Sequence, residues 1–279
     1  SPNKFNKDGL EKILAELKLG CIVKQVDIPE GKNEQELWKI FEIVLNELNE
    51  GDNIIFDITH SFRSLPILLT VVLNYAKFLK QIKLDGIYYG AIESLGTLEE
   101  IKKLPMEQRN VPVFNLTPFA SLFDWTVGIE RFINSGDAKA ISQLSTQEVR
   151  PILIDTRGQD ETARIIKDFA NSLQHYSEII ATCRGAEIAK TVGQIKKNLN
   201  SQKLSDDILV QMKPLFEKIR EKFASFSDDE NNNQLRSVEW CINHNQIQQG
   251  FTLLQEFLVS FLCTKSGLSP SKRKDREYI

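Results

Sequence analysis

A parallel, doubly wound α/β sheet domain followed by an all-helical domain is the architecture this sequence predicts, on three observations. Short apolar runs alternate with helical periodicity over the first part of the chain. One run, Asn53 to Phe56, breaks into a polar loop ahead of a long apolar helix. From Thr117 onward only helical periodicity is found. A chain of 279 residues can bury one large core or two moderate ones. Its hydrophobic fraction of 41% and charged fraction of 26% are ordinary for a globular protein.

The polar start Ser1-Pro2-Asn3-Lys4 runs into a helix expected at about Asp8 to Leu19. Cys21 to Ile28, with Ile22, Val23 and Val26, reads as a strand ended by Pro29-Glu30-Gly31. Leu37, Ile40, Phe41, Val44, Leu45 and Leu48 recur at helical spacing and predict an amphipathic helix that stops at Gly51. Asn53 to Phe56 is too short and too uniformly apolar for such a helix, so it reads as a buried strand of a parallel sheet. Leu84 to Glu93 and the short Val113 to Leu116 supply two further strands. This β-α-β-α-β rhythm is what implies a parallel, doubly wound sheet.

Beyond Thr117, Leu122, Trp125, Ile129, Phe132 and Ile133 mark one helix, Ile166 through Cys183 another, and Ile188 through Leu199 a third. Asp206 to Phe226 is expected as a helix bent at Pro214, and Ser237 to Leu262 as one long last helix. Asp228-Asp229-Glu230-Asn231-Asn232-Asn233 reads as an exposed loop. The domain boundary is expected near Ser135-Gly136. Ser269 to Arg276 holds two Lys and two Arg, either a solvated tail or a phosphate-meeting cluster, without aromatics on which bases could stack.

The loop Asp57-Ile58-Thr59-His60-Ser61-Phe62-Arg63-Ser64 sits at the carboxyl end of its strand, the edge where open α/β sheets bind ligands. Thr59, His60, Ser61, Arg63 and Ser64 offer hydroxyls, an imidazole and a guanidinium, a donor set suited to phosphate or ribose. Ser61 or Ser64 also serves as a helix cap with Pro66 in the first turn, and Asp57 as an acceptor for local backbone.

The string DITHSFRSLP resembles the signature of the CARF domain, a CRISPR-associated Rossmann-like sensor. Ile87-Tyr88-Tyr89-Gly90-Ala91, the stretch from Asp124-Trp125 to Phe132 with Gly136-Asp137 after it, and Gln248-Gln249-Gly250-Phe251-Thr252-Leu253-Leu254-Gln255-Glu256 are similar to the same family. The resemblance implies a type III CRISPR accessory protein in which a CARF domain binds cyclic oligoadenylate and a helical HEPN domain cuts RNA. Residues 1–135 would then be the nucleotide-sensing domain, its opening strand missing from this numbering. Residues 136–279 would be a HEPN-like effector, incomplete at its carboxyl end. Thr59, His60, Ser61, Phe62, Arg63, Ser64, Tyr89 and Gly90 are the implied ligand contacts. The implied activator is cyclic tetra-adenylate or cyclic hexa-adenylate, with no other cofactor and no metal. A symmetric homodimer, with the loops after Thr59 facing across a two-fold axis, fits a ring of even size.

HEPN ribonucleases pair an Arg and a His with about four to six residues between them, because metal-free RNA cleavage needs a group to move the 2′-hydroxyl proton and a cation on the phosphate. Of the three histidines, His60 lies in the ligand loop and His175 has no Arg at the right distance before it. His244 follows Arg236 with seven residues between, near the pattern but outside it. Arg236 and His244 are therefore candidate catalytic residues. The other reading makes His244 a helix-start residue bonded to a neighbouring carbonyl, with the catalytic pair farther toward the carboxyl end. His60 is likewise either a general base on the bound ring or a plain hydrogen-bonding contact.

A net charge of −3 argues against broad electrostatic binding to nucleic acid, so contact with single-stranded RNA is expected to be local. Cys21, Cys183, Cys241 and Cys263 are scattered singly, without the spacing of a zinc site or a disulfide framework. Cys183, Cys241 and Cys263 lie in apolar helical contexts that suit core packing. No apolar run approaches the roughly 20 residues that span a bilayer, and no signal-peptide pattern opens the chain, which makes the cytoplasm the default compartment. Two other readings stand beside the activated nuclease. One is a cyclic-oligoadenylate sensor or regulator without nuclease activity, with or without degradation of its own activator. The other is a Rossmann-type enzyme on a small nucleotide, which the lack of GxGxxG after a strand weakens. In the activated nuclease, the Trp125 helix would couple the halves.

Overall fold

A computed structural model describes residues 12, 14, 16–17, 20–59, 65–201, 212–227 and 229–279. The chain forms two compact units, Ser1–Thr117 and Pro118–Ile279, dividing earlier than the boundary expected near Ser135-Gly136. Most of the helix expected at Asp8 to Leu19 lies outside the described residues.

In the first unit, helix α1 (Glu34–Glu47) starts at Asn33, whose side chain accepts the Glu36 N–H at 2.9 Å. It ends where the Lys80 ammonium donates to the Leu45 and Leu48 carbonyls, both at 2.6 Å, so a cation meets the negative end of the helix. Strand β1 (Asn53–Asp57), helix α2 (Leu65–Leu79), strand β2 (Lys83–Gly90), the short helix α3 (Leu98–Lys103) and strand β3 (Val113–Asn115) follow. Leu73, Ala76 and Ile82 form a small buried core against Leu45, Leu48, Ile54, Phe56 and Leu84.

The sheet corrects the expectation of an all-parallel arrangement. Its order is β1-β2-β3, with β1 parallel to β2 and β2 antiparallel to β3. The reason is the connection from Ala91 to Pro112. The Ala91 N–H donates to the Pro112 carbonyl at 3.0 Å, so this link leaves and re-enters the sheet at the same end and β3 must run back. Cys21–Ile28 is no strand: it finds no strand partner among the described residues, and Ile22 is 96% exposed. β1 is not buried on both faces either. It is an outer strand of the described sheet, with Ile55 69% exposed. β2 stops at Gly90, and Ile92 enters a 3-10 turn (Ile92–Leu95).

The second unit is helical: α4 (Thr117–Ser135), which starts on the last residue of the first unit, α5 (Lys139–Asp155), α6 (Glu161–Ala181), α7 (Ile188–Leu199), α8 (Lys213–Phe223), α9 (Glu230–Asn243), α10 (Ile247–Lys265) and α11 (Arg273–Tyr278). Helix α5, which carries Pro151 in its interior, lacks a clear periodic signal in the sequence. Pro214 does not bend a helix; it occupies the first turn of α8, where its missing N–H costs nothing. Residues 206–211 of that expected helix lie outside the described residues.

The last long helix is in fact two. α9 and α10 form a hairpin reversed through Asn245, whose φ is 55°. Gly250 lets them approach, since a Cβ there would lie 3.1 Å from the Cβ of Cys241. The exposed loop expected at Asp228 to Asn233 is, from Asp229, a helix start, and Asn233 is buried because its amide pairs with both the N–H (2.8 Å) and the carbonyl (2.7 Å) of Ser227. The basic end is no free tail: Arg276 binds Glu256 of α10 at 2.7 Å, and Asp275 accepts the Ser269 N–H at 2.9 Å.

Aromatic side chains fill the core. The Trp240 ring lies 5.6 Å from Phe132, 5.6 Å from Phe223 and 5.1 Å from Tyr176, centroid to centroid. Burial in this cluster raises the Tyr176 hydroxyl pKa and pushes the Cys241 thiol up to about 12. Gly136, just past α4, has φ of 75°, and a Cβ there would sit 2.9 Å from Trp240 Nε1. Gly136→Ala is therefore expected to lower the stability of the helical unit by about 1–3 kcal/mol, read as a lower urea midpoint at unchanged slope.

Candidate functional site

The candidate site begins where β1 ends. Asp57 Oδ1 accepts the Thr59 N–H at 2.7 Å, an Asx turn that bends the chain out of the strand. The Ile58 N–H still pairs with the Tyr88 carbonyl at 2.9 Å. The Thr59 hydroxyl then accepts the Gly90 N–H at 2.8 Å, binding the loop to the carboxyl end of β2. Gly90 is required for this approach, because a Cβ on it would lie 3.1 Å from Thr59 Cγ2 and 3.2 Å from Thr59 Oγ1. Two strings far apart in sequence, Asp57-Ile58-Thr59 and Tyr89-Gly90, thus meet in one hydrogen-bonded ledge.

Of the eight expected ligand contacts, Thr59 and Gly90 touch, and Tyr89 stands beside them on β2. His60, Ser61, Phe62, Arg63 and Ser64 lie outside the described residues. The Tyr89 hydroxyl donates to Glu93, a residue of the 3-10 turn that sequence reading did not single out. The available signal was a tyrosine four residues ahead of a carboxylate where a strand runs out. The Tyr89 hydrogen bond holds the Glu93 carboxyl below the usual carboxylate range, and the same bond pushes the Tyr89 hydroxyl up.

The two catalytic candidates both lie at helix α9. Arg236 Nη1 pairs with Glu239 Oε2 at 2.7 Å within the helix. His244 is the buried residue that ends it. Its Nδ1 lies 2.7 Å from the Trp240 carbonyl and its Nε2 3.0 Å from the Ile133 carbonyl, while the ring packs 4.3 Å from that of Trp240. Both ring nitrogens face backbone carbonyls and the ring is buried, so the imidazole is engaged by the fold and presents no open nitrogen to a ribose hydroxyl. His175 faces Glu187 at 3.3 Å on the surface. Trp125 is buried, and its Nε1–H donates to Glu148 at 2.9 Å, with Ser121 on the other carboxylate oxygen at 2.7 Å. Among the described residues no group of three or more His, Cys, Asp or Glu is arranged to hold a metal ion, and no helix is long and apolar enough to cross a membrane.

Two outcomes follow from these contacts. Tyr89→Phe is expected to move the Glu93 titration upward in carboxyl-resolved NMR. Because the folded pKa of Glu93 is depressed, its contribution to stability is present above the unfolded value, fades as pH falls through the folded value, and is smaller in the variant. His244→Ala removes the imidazole contact to the Ile133 carbonyl, while the Trp240 carbonyl keeps the backbone N–H of residue 244, and is expected to cost about 1–3 kcal/mol. Arg236→Ala removes one exposed pair and is expected to cost at most about 1 kcal/mol, both read by chemical denaturation.

Comparison with known proteins gives two likenesses. Residues 121–234, inside the helical unit, match the family model described as CRISPR-associated protein MJ1674, second domain. Over 252 residues, 89% of this chain and 35% of the relative, the sequence is 28% identical to CRISPR-associated protein MJ1674 of Methanocaldococcus jannaschii. The chain spans about a third of the length of that curated relative.

Proposed function

Starting from a likeness to a CRISPR-associated protein along 89% of the chain, we propose that this protein is a cytoplasmic accessory of type III CRISPR defence that binds cyclic oligoadenylate at the strand ends of its first unit and thereby controls RNA cleavage. The observation that carries the reading is the Thr59–Gly90 hydrogen bond, which draws the carboxyl ends of two parallel strands together. The next residues in sequence, His60, Ser61, Arg63 and Ser64, provide donors for a phosphodiester ring. In a homodimer the same loops would present themselves twice to a two-fold symmetric ring.

The geometry at His244 favours a second reading for the helical unit. With both ring nitrogens directed at backbone carbonyls and Arg236 paired to Glu239, these side chains serve the fold, and this stretch acts as a regulator that answers to the nucleotide without cutting RNA itself.

Labelled single-stranded RNA incubated with the protein, with and without cyclic tetra-adenylate or cyclic hexa-adenylate, separates the readings. Cleavage that depends on the ring supports the nuclease; ring binding by calorimetry without cleavage supports the regulator; no binding of either ring overturns both. Arg63→Ala is expected to lose a charge-assisted bond to phosphate, about 1.5–3 kcal/mol, and so to raise the dissociation constant about tenfold or more. Unchanged affinity would remove the loop from the site.

A further inference from the structure

Past the end of β2 stands a carboxylate that a phosphate site does not call for. Glu93 is exposed in the 3-10 turn (Ile92–Leu95), and the Tyr89 hydroxyl donates to it from the strand. Backbone bonds hold the turn in place. The Ala91 N–H donates to the Pro112 carbonyl at 3.0 Å, the Ser94 N–H to the Ala91 carbonyl at 3.1 Å, and the Gly96 N–H to the Glu93 carbonyl at 3.1 Å. Tyr89 is the chain neighbour of Gly90, whose N–H is bound by Thr59, so the carboxylate stands within the reach of one tyrosine side chain of the strand-end ledge. The bond from Tyr89, with Glu93's own backbone N–H behind it, favours the ionised carboxylate.

An ionised carboxylate accepts hydrogen bonds and repels anions. At the rim of a site for a phosphodiester ring it therefore meets a hydroxyl or an amine, never a phosphate. In a 3′,5′-linked ring each 2′-hydroxyl sits on the carbon next to the one that carries the phosphodiester, whereas the adenine amine lies on the far edge of the base. Donors that grip the phosphates at the end of β1 bring the 2′-hydroxyls to the neighbouring strand end, where Glu93 is. We propose that Glu93 accepts the 2′-hydroxyl of a bound ribonucleotide ring, with Tyr89 as the residue that positions it, and that this pair selects ribose over deoxyribose. The assignment rests on the strand-end reading above and names the part of the ligand that β2 reads. Acidic residues do the same for the ribose of dinucleotides in open α/β sheets, and the 2′-hydroxyl is the group by which proteins tell RNA from DNA. A hydroxyl donating to a carboxylate makes one of the stronger hydrogen bonds. Deoxyribose leaves the carboxylate beside the ring's phosphates with no donor to satisfy it.

Calorimetry on the full chain compares cyclic tetra-adenylate and cyclic hexa-adenylate with their all-2′-deoxy counterparts. The ribose ring is expected to bind about tenfold or more tightly than the deoxy ring. Glu93→Ala, a change at an exposed position, should bring the ribose ring down to the affinity of the deoxy ring, which is itself unchanged or improved. Tyr89→Phe should narrow the ratio between the two rings; a tyrosine that only supports the fold would, when replaced, weaken both alike. Equal binding of both rings by the unaltered protein, or a ratio that survives Glu93→Ala, overturns the inference and leaves the strand-end reading standing. Cyclic tetra-inosinate keeps the 2′-hydroxyls and lacks the amine. Discrimination against that ring, rather than against the deoxy ring, that disappears in Glu93→Ala would assign the carboxylate to the base and overturn the inference as well. Binding of no ring by the unaltered protein overturns the strand-end reading, and this assignment with it.

Discussion

The carbonyl end of α4 is the constraint around which the helical unit is arranged. A helix leaves its last carbonyls without intrahelical donors, and burying them unpaired is costly. Here the donors come from elements distant in sequence: His244 reaches the Ile133 carbonyl, Gln246 the Ser135 carbonyl at 3.3 Å, and Ser177 the Gly136 carbonyl at 2.7 Å. Those three contacts fix where α6 and the α9–α10 turn sit. The Trp240 ring closes the corner, which is why residue 136 can carry no Cβ.

With the corner set, packing follows. Trp240 holds Phe132, Tyr176 and Phe223 around it, and α7 and α8 are carried on the same core through Ile195, Phe216 and Ile219. The sheet unit is built on a lighter plan. Its fully buried apolar cluster is small, and its order comes from polar ties at the strand ends: Asp57 to Thr59, Thr59 to Gly90, and Thr117, whose hydroxyl accepts the Ile87 N–H at 2.9 Å.

How legible this was in the sequence depends on the range of the force involved. Helices α1, α4, α6 and α7 were legible because 3.6-residue periodicity is local. β1 and β2 were legible because short apolar runs are. The antiparallel return of β3 was not, since it depends on where a polar connection lands rather than on the strand's own residues. Cys21–Ile28 has the composition of a strand but, among the described residues, no strand to pair with, and composition does not reveal a neighbour. The break at Asn245 was hidden because apolar spacing continues through it, and α5 because its apolar residues are diluted by Ser, Thr and Gln. In the candidate site, Thr59 and Gly90 could be singled out as parts of motifs, whereas their mutual contact, and Glu93 beside Tyr89, depend on how β1 and β2 pair.

The reach of the His244 contact carries a consequence for how the chain becomes folded. Ile133 and His244 are 111 residues apart, so during synthesis the end of α4 stays in water until the α9–α10 turn has emerged. The helical unit therefore cannot mature as a staircase of locally completed hairpins; its first helix and its last hairpin settle together. The stretch that matches the family model ends at residue 234, ahead of Trp240, His244 and Gln246. A fragment cut to that stretch would keep most of α4 and all of α5 to α8 but only the start of α9, and would lack the residues that close the end of α4, so the stretch matched by the family model is narrower than the cooperative folding unit.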